Sequence, residues 1–263
     1  MIVPVVLRNP IDRISQKEFS DVAYEVMATV FAVHRDLGRL FDENIYQREI
    51  AARLGNAQCE VPIQVTFDSF AKTYFLDLLV GNKAIFELKA AEAIVPRHRA
   101  QLLHYLLLTE THHGKLINLR PDKVEHEFLN TSLTRSDRTS FSLESREWDD
   151  RCDPGLKEWI VSLLRDIGVG LEVSLYEEAA AHFCLPDSSL VRLDIRNDEG
   201  RVIGNQDILL LTPSVAIEVS AFAPEYLKQF ELHLNRFLKH TSLRVIQWIN
   251  LARSQVQFKT IHR

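Results

Sequence analysis

The chain has 263 residues, of which 46% are hydrophobic and 25% charged, with a net charge of −5. These proportions exclude a disordered or fibrous chain, and the acidic balance excludes a small protein that coats DNA through bulk positive charge. A nuclease that grips through a local groove and metal ions stays open, because the local field outweighs the total. No run reaches the roughly 18 apolar residues of a membrane helix, and residues 1–15 lack a signal-peptide layout. Cys59, Cys152 and Cys184 are far apart and form neither a disulfide framework nor a zinc spacing. The expected setting is the cytoplasm, with no membrane partner.

Phe19, Val22, Ala23, Val26 and Val30 recur at helical spacing, which predicts a helix over 17–37. A second helix is expected over 40–54, ending at Gly55-Asn56. Residues 61–67 alternate as a strand does, and 73–80 and 84–89 flank Gly81-Asn82 as a hairpin. Pro96 opens a helix to about 110, and strands follow at 115–119 and 124–129. Residues 131–153 are rich in Ser, Thr, Arg and Asp and read as a connecting segment. Beyond it the order recurs. Helices are expected at 155–166 and 171–183, strands at 190–196, 202–211 and 214–219, a helix at 224–240, and strands at 243–250 and 255–261.

The fold class read from this order is α/β: two tandem αβββαβ units, each a mixed central sheet flanked by helices. The domains are 1–130 and 154–263, joined by 131–153. Sequence pairs argue for a diverged tandem duplication. FDENIYQREIAARL at 41–54 matches LEVSLYEEAAAHFC at 171–184, and KLINL at 115–119 matches IQWINL at 246–251. YFLDLLVGNKAIFELKA at 74–90 matches GNQDILLLTPSVAIEVSA at 204–221.

Chemistry concentrates in the first unit. Asp77 lies on one strand of the hairpin, and Glu87 and Lys89 lie two apart on the next, so these two share a face. Crowded carboxylates repel, and a divalent cation relieves that repulsion. Hard oxygen ligands favour Mg²⁺ or Mn²⁺, and a lysine alongside can orient a water or steady charge on a phosphate. Register tests this. A two-residue loop would set Asp77 opposite Phe86, whereas a three-residue loop at 81–83 or a bulge sets it with Glu87. Gln101 and Tyr105 share a helix face, as do Glu43 and Tyr46, with Gly38 just upstream.

These residues resemble the PD-(D/E)XK nuclease superfamily in its Asp…Glu-x-Lys core, and its RecB-like branch in Gln101-x-x-x-Tyr105. HRDLGRLFDENIYQREIAARL at 34–54, with FLDLLVGNKAIFELKA and AQLLHYLLLTETHHGKLINL, resembles the GxxExxY proteins within it. The resemblance spans about residues 16–120. A second glycine is usual two residues after Gly38, where Leu40 stands here. The resemblance implies a restriction-endonuclease-like fold with metal bound by Asp77, Glu87 and Glu43, and the Leu88 carbonyl as a further ligand. It also implies Lys89 serving the water or phosphate, and Gln101 and Tyr105 supporting that network. The function implied is a Mg²⁺- or Mn²⁺-dependent nuclease acting on nucleic acid, DNA in preference. Removing Lys89 is expected to abolish turnover and leave the fold intact. The alternative is a non-catalytic binding or regulatory protein on the nuclease fold, acting through a protein partner.

The second unit departs where chemistry matters. Tyr176 matches Tyr46, but Val173 stands for Glu43, Ser220 for Lys89, and His233 and Phe237 for Gln101 and Tyr105. Asp207 and Glu218 remain, and a loop at Thr212-Pro213 would set them opposite each other. Catalysis is expected to be lost there. The ten histidines form no HExxH or Cys/His cluster and read as surface residues. Lys89, Arg97, Arg99, Lys115 and Arg120 outnumber Glu92 and Glu110, and would line a phosphate-facing groove or a solvated helix face. No Walker A loop, dinucleotide fingerprint or nucleophile elbow is present, nor the cysteine cluster of an iron–sulfur centre.

Overall fold

A computed structural model describes residues 5–7, 10–152, 155–184 and 191–263. The chain divides into two compact units, Met1–Arg135 and Ser136–Arg263. Among the described residues no helix is long and apolar enough to cross a membrane.

The first unit runs β1 (Val5–Leu7), α1 (Gln16–Leu37), α2 (Glu43–Leu54), β2 (Ala57–Phe67), β3 (Phe70–Val80), β4 (Ala84–Lys89), α3 (Pro96–Thr109), β5 (His113–Asn118) and β6 (Glu125–Asn130). Its sheet has the order β1-β2-β3-β4-β5-β6. All neighbours are antiparallel except β4 and β5, which α3 connects as a parallel pair. Ser15 caps α1 by a reciprocal bond set with Glu18. The apolar stripe of α1 (Phe19, Val26, Val30) packs with Ile50 of α2 on Leu78, Phe86, Leu88 and Ile117. The other sheet face meets α3. A Cβ at Gly114 would lie 2.9 Å from a Leu102 methyl and 3.1 Å from one of Leu106, so the helix can approach β5 only because glycine stands there.

The second unit runs α4 (Arg135–Thr139), whose first residue belongs to the first unit, β7 (Ser142–Glu147), α5 (Leu156–Ile167), α6 (Val173–Cys184), β8 (Val191–Arg196), β9 (Val202–Ile208), β10 (Leu210–Thr212), β11 (Val215–Ser220), α7 (Pro224–Lys239), β12 (Val245–Leu251) and β13 (Gln255–His262). Five strands form a sheet in the order β10-β11-β12-β13-β7, and β8-β9 form a separate hairpin. Again a helix, α7, links a parallel pair, β11 and β12. Leu234 and Leu238 of α7 pack on Ala216, Ile246 and Trp248.

The elements follow the hydrophobic periodicity closely, with three differences. Strand β1 is short and its apolar residues lack a turn signal. The stretch 131–153 is more than a connection: β7 pairs in parallel with β13 and Trp148 is buried behind it. Its Ser and Glu residues gave no apolar signal because an edge strand pairs through its backbone. The expected strand at 202–211 is broken at Leu209, so β9 leaves the sheet and β10 stays in it.

Candidate active site

The site forms where β3, β4 and α2 converge. The β3–β4 register pairs Leu78 with Phe86, Leu79 with Ile85 and Val80 with Ala84, leaving the three-residue loop 81–83. Gly81 and Asn82 both take positive φ there, 58° each, the left-handed geometry such a tight loop needs. This register sets Asp77 level with Glu87 and on the same face.

Lys89 Nζ sits among three carboxyls: 2.7 Å from Glu87 Oε1, and 3.5 Å from both Asp77 Oδ2 and Glu43 Oε1. Glu87 is fully buried, and Asp77 and Lys89 are nearly so. The backbone N–H of Leu88 donates to Asp77 Oδ2 at 2.8 Å and fixes that carboxyl on the neighbouring strand.

Glu43 opens α2, and a hook upstream sets its position. Gly38 ends α1 with φ 73°. The Tyr46 hydroxyl donates to the Gly38 carbonyl at 2.8 Å and accepts the Phe41 N–H at 3.2 Å. Tyr46 is thus a buried hydroxyl that shapes the loop delivering Glu43.

Three carboxylates and one ammonium leave an excess of two negative charges if all ionise. Burial pushes the Glu87 carboxyl well above its ordinary value, and Asp77 adds to the push while Lys89 opposes it. Burial likewise raises Asp77 and Glu43, against the pull of the ammonium. Burial alone would lower Lys89, but the surrounding carboxylates outweigh it and its pKa rises. One oxygen, Glu87 Oε2, is buried with no hydrogen-bond partner. A buried, unpartnered carboxylate oxygen in an all-oxygen donor set fits a hard divalent cation. Among the described residues, no three His, Cys, Asp or Glu side chains stand ready in ligating geometry. The ammonium holds the centre of the carboxyl group instead.

Gln101 and Tyr105 lie on one face of α3, and the Gln101 amide donates to the Tyr105 hydroxyl at 3.1 Å. The described bond of Gln101 therefore goes to Tyr105, not to a carboxyl. Two residues near the site escaped the sequence reading. Asn118, paired in register with Lys89, accepts the Ala91 N–H at 3.0 Å and donates to the Ala91 carbonyl at 2.8 Å. It thereby pins the backbone just beyond Lys89. The asparagine shared by KLINL and IQWINL was its signal. His98 is the other. It is buried, as is His104, contrary to the surface expectation for the histidines. Burial depresses the His98 pKa, and the Lys89, Arg97 and Arg99 charges depress it further.

Of the five cations that would line a phosphate-facing groove or a solvated helix face, most have partners within the unit. Arg99 makes a two-pronged pair with Glu127 at 2.6 Å per bond. Lys115 lies 3.5 Å over the Phe128 ring, and Arg120 bonds the Ala90, Arg39 and Phe41 carbonyls. Lys89 is inside the site. Internal partners claim four of the five, and Arg97 stays exposed.

The second unit keeps the scaffold and changes the site. Tyr176 donates to the Gly168 carbonyl at 2.7 Å and accepts the Leu171 N–H at 3.2 Å, and Gly168 has φ 82°. Asn250 accepts the Phe222 N–H at 2.8 Å and donates to the Phe222 carbonyl at 3.0 Å. Both patterns reproduce those of Tyr46 and Asn118. At the lysine position, however, Ser220 accepts the Trp248 indole N–H and donates to Asn250 Oδ1, each at 2.8 Å. Asp207 and Glu218 are not opposite each other. The loop is Pro213-Ser214, the register shifts between Leu210 and Thr212, and Asp207 pairs with Arg192 in the separate hairpin.

The family model of the PD-(D/E)XK nuclease superfamily matches residues 20–130, within the first unit. The mixed sheets flanked by helices accord with that fold. No curated protein matches the chain. A solved structure titled "Crystal structure of SSO0001" is similar at 19% identity and a TM-score of 0.29, over 46% of this chain and 63% of that one.

Proposed function

We propose that the first unit is a divalent-metal-dependent nuclease that hydrolyses phosphodiester bonds, with DNA as the favoured substrate. The observation that carries this reading is the buried Asp77–Glu87–Lys89 cluster with the unpartnered Glu87 Oε2, inside the stretch matched by the nuclease-superfamily model. Asp77 and Glu87 would hold Mg²⁺ or Mn²⁺, with Glu43 reaching in from α2. Bound there, the metal supplies an acidified water and neutralises charge on the phosphate. Leu88 N–H keeps Asp77 aimed. Lys89 would donate to a phosphate oxygen or orient the attacking water. Gln101 and Tyr105 steady one edge of that space. The Gly38…Glu43…Tyr46 hook supports a place among the GxxExxY proteins. The recurring tyrosine and asparagine bonds support descent of both units from one duplicated ancestor, the second no longer catalytic.

A second reading has one observation in its favour: the ammonium, not an open ligand set, stands at the centre of the carboxyls. On that reading the chain is a non-catalytic binding protein acting through a protein partner. Cleavage of labelled single- and double-stranded DNA with Mg²⁺, Mn²⁺ or EDTA separates the two. The nuclease reading expects metal-dependent products that Glu87→Gln abolishes. Equal background from both folded proteins favours the binding protein.

A further inference from the structure

The second unit holds a cleft of about 680 Å³ between α6, β11, α7 and the departing β9, within the size range of small-molecule sites. It opens because β9 leaves the sheet at Leu209, where β3 in the first unit continues alongside β4. Its inner wall is apolar and aromatic. Phe230 and Phe237 line it from α7, and the Phe230 ring lies 5.5 Å from that of Trp248 and 4.5 Å from that of Phe222. Its polar groups are mostly acidic: Glu177 and Glu178 from α6, Asp207 from β9 and Glu218 from β11, with His233 from α7 and only apolar Ile246 from β12. No lysine or arginine lines it among the described residues. Glu218 is half-buried on the cleft lining and has no hydrogen bond or ion pair among the described residues.

We propose that this cleft binds a small organic ammonium ion with an apolar body, the cationic group on Glu218 and the hydrocarbon against Phe230 and Phe237. Two features select that class. Glu218 and Asp207 set carboxyls on a lining with no described lysine or arginine, which disfavours phosphates and carboxylates and attracts a cation, and the described acids do not gather as metal ligands. The aromatic wall favours a hydrocarbon-bearing cation over a hydrated inorganic one, through burial and ring–cation attraction. The proposal is independent of catalysis in the first unit.

The test uses the full chain and three matched probes at pH 8: 4-phenylbutylammonium, the neutral 4-phenylbutanol and the anionic 4-phenylbutyrate. Titration calorimetry should give saturable binding of the ammonium with a Kd below 1 mM, at least tenfold tighter than the alcohol, and no binding of the anion. Glu218→Gln should weaken the ammonium at least tenfold while leaving the alcohol unchanged. Ala181→Phe, which fills the cleft from α6 without altering charge, should remove binding of both; its circular dichroism reports retained folding. Equal affinity for alcohol and ammonium, no saturable binding up to 10 mM (a ceiling about 1.4 kcal/mol above the threshold), or an unaltered Kd in folded Glu218→Gln would each overturn the proposal.

Discussion

In the first unit the strand after the hairpin ends Glu87-Leu88-Lys89, and three carboxyls collect around one ammonium. In the second the corresponding strand ends Glu218-Val219-Ser220, and a hydroxyl accepts an indole N–H where the ammonium would be. Everything that aims these side chains is alike: the tyrosine hook after a positive-φ glycine, the parallel pair linked by one helix, and the asparagine staple beyond the strand. The difference teaches that scaffold and chemistry are separable. Hydrogen bonds and packing hold the strand end in place whether it carries an ion cluster or a Trp–Ser–Asn chain. The ion cluster is the less comfortable of the two, because each carboxyl there is raised by burial and one oxygen goes unpaired. Discomfort of that kind is expected where a site awaits a ligand.

The largest effect should come from Lys89. Lys89→Ala is expected to lower cleavage by about a thousandfold, measured per folded molecule. The expectation that the fold stays intact needs revision: losing the ammonium strands buried carboxyls, which costs about 3 kcal/mol. Denaturant unfolding should show that loss, and adding Glu87→Gln in the same chain should recover part of it. A fully stable Lys89→Ala protein would break the claim that the cluster is a buried ion network.

Next comes the pH response of Glu218. Burial first, and then the Glu177 charge, push its carboxyl up to about 7. The folded state therefore keeps a proton that the unfolded chain has already released. Stability falls as pH rises from about 4.5 to 7, and the loss is complete above that window. Glu218→Gln should remove this slope and stabilise the protein by about 2 kcal/mol at pH 8 relative to pH 5. Parallel stability–pH curves for the two proteins across that window would contradict the assignment.

A smaller effect sharpens the comparison. Tyr46→Phe and Tyr176→Phe each remove a buried hydroxyl that bridges a carbonyl and an N–H, and each should cost about 1–2 kcal/mol. Only Tyr46→Phe should also slow cleavage, because its loop delivers Glu43. Equal cleavage rates in the two variants would separate the hook from the site.

Much of this was legible in the sequence. Helical spacing gave α1, and Gly81-Asn82 marked the hairpin. The requirement that Asp77 and Glu87 share a face called for a three-residue loop at 81–83 or a bulge, and the structure has the loop. Asp77, Glu87 and Lys89 come together as the spacing suggested, and Glu43 joins them as the family resemblance implied. What stayed hidden depends on contacts between distant segments. β7 is an edge strand held by β13, so its side chains carry little signal. The break at Leu209 places Asp207 in another hairpin, which residue counting from Glu218 could not register. The cations between 89 and 120 look free in sequence, yet Glu127, Phe128 and loop carbonyls claim three of them. His98 is polar by type and buried by position.

The most direct test of the central claim compares position-matched variants in one assay. Lys89→Ala and Ser220→Ala should be assayed for Mg²⁺-dependent cleavage of labelled DNA beside the wild type, each normalised to folded protein. Ser220→Ala loses its hydrogen bonds to the Trp248 indole and to Asn250 and should cut at the wild-type rate, while Lys89→Ala should cut about a thousandfold more slowly. Cleavage by Lys89→Ala at the wild-type rate, or lost equally in both, would contradict a single active site in the first unit.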